Sequence, residues 1–384
     1  MGTHVGNPRR EPPERTVVFY ISGHGFGHAS RSIEVINALL TRRPDLRIIV
    51  RTTAPRWLFD LTVRRSQPIE YHLIETDTGV VQIDSLHLDV DESVRRAHNF
   101  MRTFDACVAH EVAFLNDERA SIVVADIPPL GLAAAANAGV PAIALGNFTW
   151  DWIYTAYPGT DEIVRSIGNA YARADLALRL PMHGGFETFS HVIDVPFIAR
   201  RSARDPLETR TAMGFPRKGR LALVSFGGYG LERLDLDRLG RLDGHAAVVP
   251  ASLALTGGPL PNASLLPLDE PAMYAAGFRY EDIVRSVDVV VTKPGYGIIA
   301  ECLANDTALL YTSRGHFIEY DVLVTEMPRF LRAAYIDHSD LFAGDWAPRL
   351  EALLAQPPPP ERPAVNGADV ASEVLLTMID GLRH

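Results

Sequence analysis

Residues Thr16–Leu40 read TVVFYISGHGFGHASRSIEVINALL. Val17 to Ile21 is a short β-branched and aromatic run of the kind buried in a parallel sheet, and Ile33, Ile36, Leu39 and Leu40 recur at helical spacing after it. A strand therefore feeds a helix through a loop that carries Gly23, His24, Gly25, Phe26, Gly27 and His28. Glycines let the backbone turn tightly and approach a ligand, and a helix starting near Ala29 or Ser30 offers unpaired N–H groups to an anion. His28 would stand at that mouth; the plain alternative is a glycine turn that merely packs helix on strand.

Two familiar nucleotide motifs do not fit this loop. The third glycine of a dinucleotide fingerprint is replaced by His28, and the next strand, Leu46 to Val50, ends in Arg51, Thr52 and Thr53 with no acidic ribose ligand. No Gly-Lys-Ser/Thr follows, which excludes a P-loop.

Strand and helix alternate onward. Trp57 to Arg65 reads as helix, Ile69 to Ile74 as strand, Ser93 to Leu115 as a long helix, Ile122 to Ala125 as strand, Leu130 to Ala138 as helix and Ala142 to Leu145 as strand, a doubly wound α/β half. Asp89 and Asp91 form an Asp-x-Asp before the long helix, read as helix-entry charge rather than a metal ligand pair. Asp126 ends the strand SIVVAD, which brings its carboxylate to the same sheet edge as His28; a turn or cap role is the alternative. In NFTWDWIY, Phe148, Trp150, Trp152 and Tyr154 alternate, either lining an acceptor cleft or filling the core.

Alternation restarts after a linker. LALVSF at Leu221 to Phe226 runs into Gly227, Gly228 and Gly230, a second glycine turn whose amides suit a diphosphate. Val287 to Val291 is a strand, followed by the loop Lys293, Pro294, Gly295, Tyr296, Gly297 and a helix holding Glu301. Lys293 offers charge to a phosphate and Glu301 an acceptor for ribose hydroxyls; an exposed loop charge and a first-turn Glu are the bland counterparts. Leu309 to Tyr311 continues the sheet, Pro357 to Pro360 is a stiff break and Ala368 to Leu382 a closing helix.

Composition sets the frame. At 384 residues and 47% hydrophobic, the chain is long enough for two domains, and a net charge of −10 argues against nucleic acid as partner. Two cysteines, Cys107 and Cys302, suit a reducing, cytoplasmic setting. Residues 1–15 read as a disordered tail rather than a signal or anchor, and no apolar run reaches membrane-spanning length.

GHGFGH, SFGGYG and TKPGYGIIAE together resemble the loops of nucleotide-sugar glycosyltransferases of the GT-B class, and VVADIPPLGLAAAANAGVPAIALGNFTWDW resembles the segment bringing the Asp of their His-Asp pair. GHGFGHASR, NFTWDWIY, RLP, VIDVPFIARR, KPGYGIIAE and WAPRLE, in that order, are similar to the amino-terminal glycosyltransferase-like domain of plant L-arabinokinases. No second ATP-binding motif follows Glu351, so phosphorylation of arabinose is not carried over.

The resemblance implies two Rossmann-like doubly wound domains facing a cleft: an acceptor side over residues 16–198, a linker over 199–218 and a nucleotide-sugar side over 219–384 that includes the closing helix. It implies a glycosyltransferase moving a sugar from a nucleotide-diphosphate sugar, a UDP-sugar by likeness, to an acceptor hydroxyl, with inversion and with neither metal nor cofactor. His28 would be the base and Asp126 its partner; Gly227, Gly228, Gly230, Lys293, Pro294, Gly295, Tyr296, Gly297 and Glu301 would hold the donor; Gly23 to Gly27, Trp150 and Trp152 would border the acceptor. Lys293 and Ile298 stand where plant-type transferases carry a His and a Ser or Thr on phosphate, and the usual Asp-Gln grip on the sugar is replaced by RGHFIEYD, with His316, Glu319 and Tyr320 as candidates. A nucleotide-sugar-binding module without catalysis and a nucleotide-sugar epimerase are the alternative functions.

Overall fold

The computed structural model describes residues 15–64, 69–227, 234–242, 244–251 and 263–381. The expected tail, apart from Arg15, and the two glycines Gly228 and Gly230 lie outside the described residues.

The first sheet is built from β1 (Thr16–Ile21), β2 (Arg47–Thr52) and β3 (Glu70–Leu73). The short antiparallel pair β4 (Val81–Gln82) and β5 (Leu88–Asp89) follows, and the sheet continues with β6 (Ala120–Asp126), β7 (Ala142–Phe148), β8 (Leu176–Gly184) and β9 (Val192–Asp194). Its strand order, β3-β2-β1-β6-β7-β8-β9, reverses direction at β1, and the pairings of that central strand with β2 and β6 are parallel. Both faces of β1 are covered: Val17, Phe19 and Ile21 share a core with Ile33 and Ile36, while Val18 and Tyr20 join the opposite layer. That double burial explains the unbroken apolar run with which the strand announces itself. The second sheet contains β10 (Arg220–Ser225), β11 (His245–Pro250), β12 (Leu265–Leu268), β13 (Val289–Thr292), β14 (Ala308–Tyr311) and β15 (Ala333–Tyr335) in the order β12-β11-β10-β13-β14-β15, again turning back at its first strand. Ligands of such sheets collect outside the carboxyl ends of the strands at that reversal.

Two segments cross between the halves. The closing helix, Gly367–Gly381, was expected with the second domain but packs on the first helix, Phe26–Arg42, through Arg42 to Asp369 at 2.8 Å and Arg42 to Glu373 at 3.3 Å. Its path back is tied by the Gly367 amide donating to the Phe197 carbonyl at 2.9 Å, where a Cβ on Gly367 would meet the Pro196 carbonyl at 2.1 Å. In the other direction, the arm around β4 and β5 buries Leu86 in the core of the second sheet, and Ser85 Oγ donates to the Phe226 carbonyl at 3.0 Å. Asp89 caps the long helix Val90–Asp117 by accepting from the Glu92 amide, the helix-entry role read for its Asp-x-Asp. Arg51, at the end of β2, is buried and donates to Glu111 at 2.6 Å, a fold contact. Among the described residues no helix is long and apolar enough to cross a membrane.

Candidate active site

The carboxyl ends of the two sheets border one cleft of about 1660 Å³. Two helices open into it from opposite sides. The first begins at Phe26 after Gly25, whose φ of 74° suits glycine, and the helix Tyr296–Asn305 begins after Gly295; neither has a side-chain cap or an acid in its first turn. Their starts nearly touch, since a Cβ on Gly297 would lie 3.3 Å from the Gly27 Cα. Uncapped N–H groups and the positive ends of two helix dipoles thus face the same space. Gly23 is needed for a different reason: a Cβ there would strike the Thr53 hydroxyl.

On the first-domain wall, His28 Nδ1 lies 2.8 Å from Asp126 Oδ1. The carboxylate is fully buried and also accepts from Arg31 Nε at 2.7 Å, Arg31 Nη2 at 2.5 Å and Ser32 Oγ at 2.8 Å. Burial alone would raise its pKa, but the Arg31 charge and the hydrogen bonds from Arg31 and His28 outweigh burial and hold it down to about 2. Asp126 is therefore a carboxylate at any physiological pH. His24 packs between Trp150 and Phe317 and accepts from the Val80 amide through Nδ1 at 3.3 Å. Burial and the nearby Arg314, His28 and Lys293 depress its pKa, so it stays neutral with its hydrogen on Nε2.

Trp150 and Trp152 do not line the cleft, contrary to one reading of NFTWDWIY. The alternation belongs to a strand end followed by the short helix Trp150–Thr155: Trp150 is 1% exposed, and Trp152 lies over Gly184 and Gly185. Trp150 instead aims a cleft carboxylate by donating Nε1 to Asp77 Oδ2 at 2.9 Å, while Ser22 donates to Oδ1 at 3.0 Å. Burial pushes Asp77 up to about 6 despite those donors. Neither Asp77 nor Asn147, which reaches the cleft from the end of β7, is marked by any local pattern; both are visible only once the sheet edge is assembled.

On the facing wall, Lys293 and Arg314 are the cations that line the cleft besides the Arg200 paired with Glu301. Lys293 donates to Gln82 Oε1 at 2.8 Å, and Arg314 donates to the Pro294 carbonyl at 3.1 Å while stacking on Phe317. Among the described residues neither forms an ion pair with a carboxylate. Burial, and then the Arg314 charge, lower Lys293 to about 7; burial also lowers Arg314. Sequence reasoning passed over Arg314, although its place just after β14, at the ligand edge of the sheet, was the available signal. Of the three sugar-grip candidates only Glu319 lines the cleft, accepting from Asn147 Nδ2 at 2.8 Å; His316 is exposed and Tyr320 lies away from it. Gly227, Pro294, Gly295, Tyr296 and Gly297 border the cleft. Glu301 borders it too, but its Oε1 is already taken by the half-buried Arg200, from Nε at 2.6 Å and from Nη2.

With this geometry in hand, comparison with known proteins locates the architecture. No protein-family model matches the chain. The chain is 28% identical over 376 residues to L-arabinokinase of Arabidopsis thaliana; the match takes in 95% of this chain and spans 34% of the relative's length. Among solved structures it is similar to the calicheamicin glycosyltransferase CalG4, with TM-score 0.62 and 17% identity over 97% of this chain and 100% of that one. The glycosyltransferase of kitacinnamycin gives 0.63 and 14%, over 96% and 100%. UGT2 of Phytolacca americana, in complex with UDP-2-fluoro-glucose and pterostilbene, gives 0.58 and 14%, over 95% and 94%. Two parallel sheets of the same reversing order, opening on a shared cleft, are the GT-B fold of these glycosyltransferases, and the chain has that fold.

Proposed function

We propose that the protein transfers a sugar, with inversion, from a nucleoside-diphosphate sugar of the UDP class to an acceptor hydroxyl. The observation that carries this reading is the opposition of a His28–Asp126 pair on one wall to two cations without a carboxylate partner on the other, with an uncapped helix start on each wall. Anions complete such a wall, because a buried charge without a partner is costly until one arrives. The UGT2 neighbour, with UDP-2-fluoro-glucose and pterostilbene in its complex, supports the choice of ligand.

His28 Nε2 takes the proton of the acceptor hydroxyl as that oxygen attacks the anomeric carbon, and the bond from that carbon to the diphosphate oxygen breaks. The electron pair leaves with the nucleoside diphosphate. Asp126 holds the hydrogen of His28 Nδ1 and offsets the imidazolium that forms; base catalysis of this kind contributes about 10²- to 10⁴-fold. Lys293, Arg314 and the amides at the Phe26 and Tyr296 helix starts stabilise the departing charge in place, the duty a metal performs in other enzymes. Gly227 borders the nucleotide, and Glu301 meets the ribose through Oε2, since Oε1 is engaged by Arg200. Glu319 holds a hydroxyl of the transferred sugar, while Asp77, Thr78 and the His24 imidazole form the acceptor wall.

Release of nucleoside diphosphate from a panel of UDP-sugars, with and without hydroxylated acceptors, tests the reading. The expected result is acceptor-dependent release that survives chelation of divalent cations and falls at least about 10²-fold in His28→Ala, with nucleotide binding retained. Turnover within a few-fold of wild type in His28→Ala overturns the base assignment. Conversion of one nucleotide sugar into another with no acceptor present and no nucleoside diphosphate released makes the protein an epimerase instead.

A further inference from the structure

Arg31 lies one turn beyond His28 on the first helix and is buried, with every arm of its guanidinium engaged. Nε and Nη2 donate to Asp126, and Nη1 donates to Asn147 Oδ1 at 2.7 Å. Asn147 in turn donates Nδ2 to Glu319 of the second domain at 2.8 Å. Chemistry fixes the orientation of that amide, because arginine only donates and a carboxylate only accepts. An unbroken hydrogen-bonded path therefore crosses the cleft from Glu319 through Asn147, Arg31 and Asp126 to His28.

The same guanidinium presents the imidazole with a choice. Nδ1 of His28 has an acceptor, Asp126 Oδ1, at 2.8 Å and a donor, Arg31 Nη2, at 2.9 Å. One ring nitrogen serves only one of them in the neutral ring. Carrying its hydrogen, Nδ1 donates to Asp126 and leaves Nε2 bare, ready to accept a proton from substrate. Bare, Nδ1 accepts from Arg31, and the hydrogen moves to Nε2, where it blocks base catalysis. The His–Asp pair alone has no such alternative; the arginine creates it, and its tether decides it.

We propose that Arg31 is a positioning residue that sets the His28 tautomer, and that Glu319, acting through Asn147, holds the guanidinium against Asp126 so that the base-competent Nδ1–H form prevails. The idea rests on the transferase reading of His28 and adds to it a link by which the donor-side domain arms the base on the acceptor side. With Asn147 removed, Nη1 loses its acceptor, the guanidinium is free to turn, and Nη2 donates to the imidazole.

Nitrogen-15 spectra of the full chain labelled at histidine ring nitrogens, assigned with His28→Gln, report the tautomer directly. In wild type the His28 signals belong to the Nδ1–H form. In Asn147→Ala and in Glu319→Ala, which leave Arg31 and Asp126 in place, the population moves toward Nε2–H. For acceptor-dependent turnover the same Asn147→Ala change lowers kcat by about fivefold or more with the donor KM within about twofold, the split expected of a weakened base. The same tautomer ratio in wild type, Asn147→Ala and Glu319→Ala overturns the proposal. Because the spectra need no turnover, a wild type with the expected shifts but no transfer activity sinks the transferase reading and leaves the role of Arg31 standing.

Discussion

The two walls of the cleft carry charge in opposite ways. On the first-domain wall Asp126 is matched by Arg31, Ser32 and His28, so the group is complete without a ligand. On the second-domain wall Arg314 is buried and Lys293 half-buried; they donate to a carbonyl and an amide oxygen, neither forms a carboxylate ion pair among the described residues, and burial has lowered the pKa of both. A satisfied group holds a reactive side chain in one geometry, whereas an unsatisfied one stores affinity for whatever completes it. Under the proposed function the first wall would supply the base and the second a socket for an anion.

Removing a cation from each wall should have opposite consequences for stability. Arg31→Met strands the buried Asp126 carboxylate and should destabilise the fold by about 3–5 kcal/mol, the usual cost of breaking a buried pair. Lys293→Met removes an unpaired charge and should leave the denaturation midpoint unchanged or raise it. Equal losses in the two variants, measured by urea unfolding, would erase the distinction between the walls.

A second, smaller effect lies in the pH dependence of ligand binding. Lys293 sits near 7 in the folded protein, so an anionic ligand meets it partly neutral and must draw a proton onto it. Affinity for a nucleoside diphosphate should fall as pH rises through 7, by at most about tenfold per unit, with proton uptake on binding above that pH. Titrations in buffers of different ionisation enthalpy measure the uptake; a flat profile between pH 6.5 and 8.5 counts against Lys293 as a diphosphate contact.

The smallest effect concerns the carboxylate that Trp150 aims. Asp77 has a folded pKa near 6, above the ordinary carboxylate value, so it is neutral at pH 5 and charged at pH 8. The indole N–H favours the charged form. Trp150→Phe should therefore cost about 1 kcal/mol more stability at pH 8 than at pH 5, a difference that cancels the packing change common to both. No difference between the two pH values would mean that the indole bond does not stabilise the carboxylate.

Much of this molecule is legible in its sequence where physics is local. The apolar β1 run, the glycine turn and the helical spacing from Ile33 place the strand, loop and helix that carry His28, and SIVVAD places Asp126 at the same edge. What the sequence hides is long-range. Arg31 is 95 residues from Asp126 and Asn147 is 172 from Glu319, so no spacing rule joins them. Alternating aromatics in NFTWDWIY satisfy strand and helix patterns alike, and only the packing of Trp152 against Gly184 decides between core and cleft. The closing helix likewise has no local mark that sends it back to the first domain, since its partners, Arg42 among them, lie more than 300 residues away in the chain.

Calorimetric titration of the protein with a panel of nucleoside diphosphates and their sugars, repeated on Arg314→Met, tests the central claim most directly. Binding of one nucleoside diphosphate and its sugars in the micromolar range, weakened about 10- to 100-fold in the variant, is the predicted result, in line with the loss of a hydrogen bond to a charged group. No binding of any member of the panel, or equal binding by wild type and Arg314→Met, would contradict the account of the second wall as a diphosphate socket.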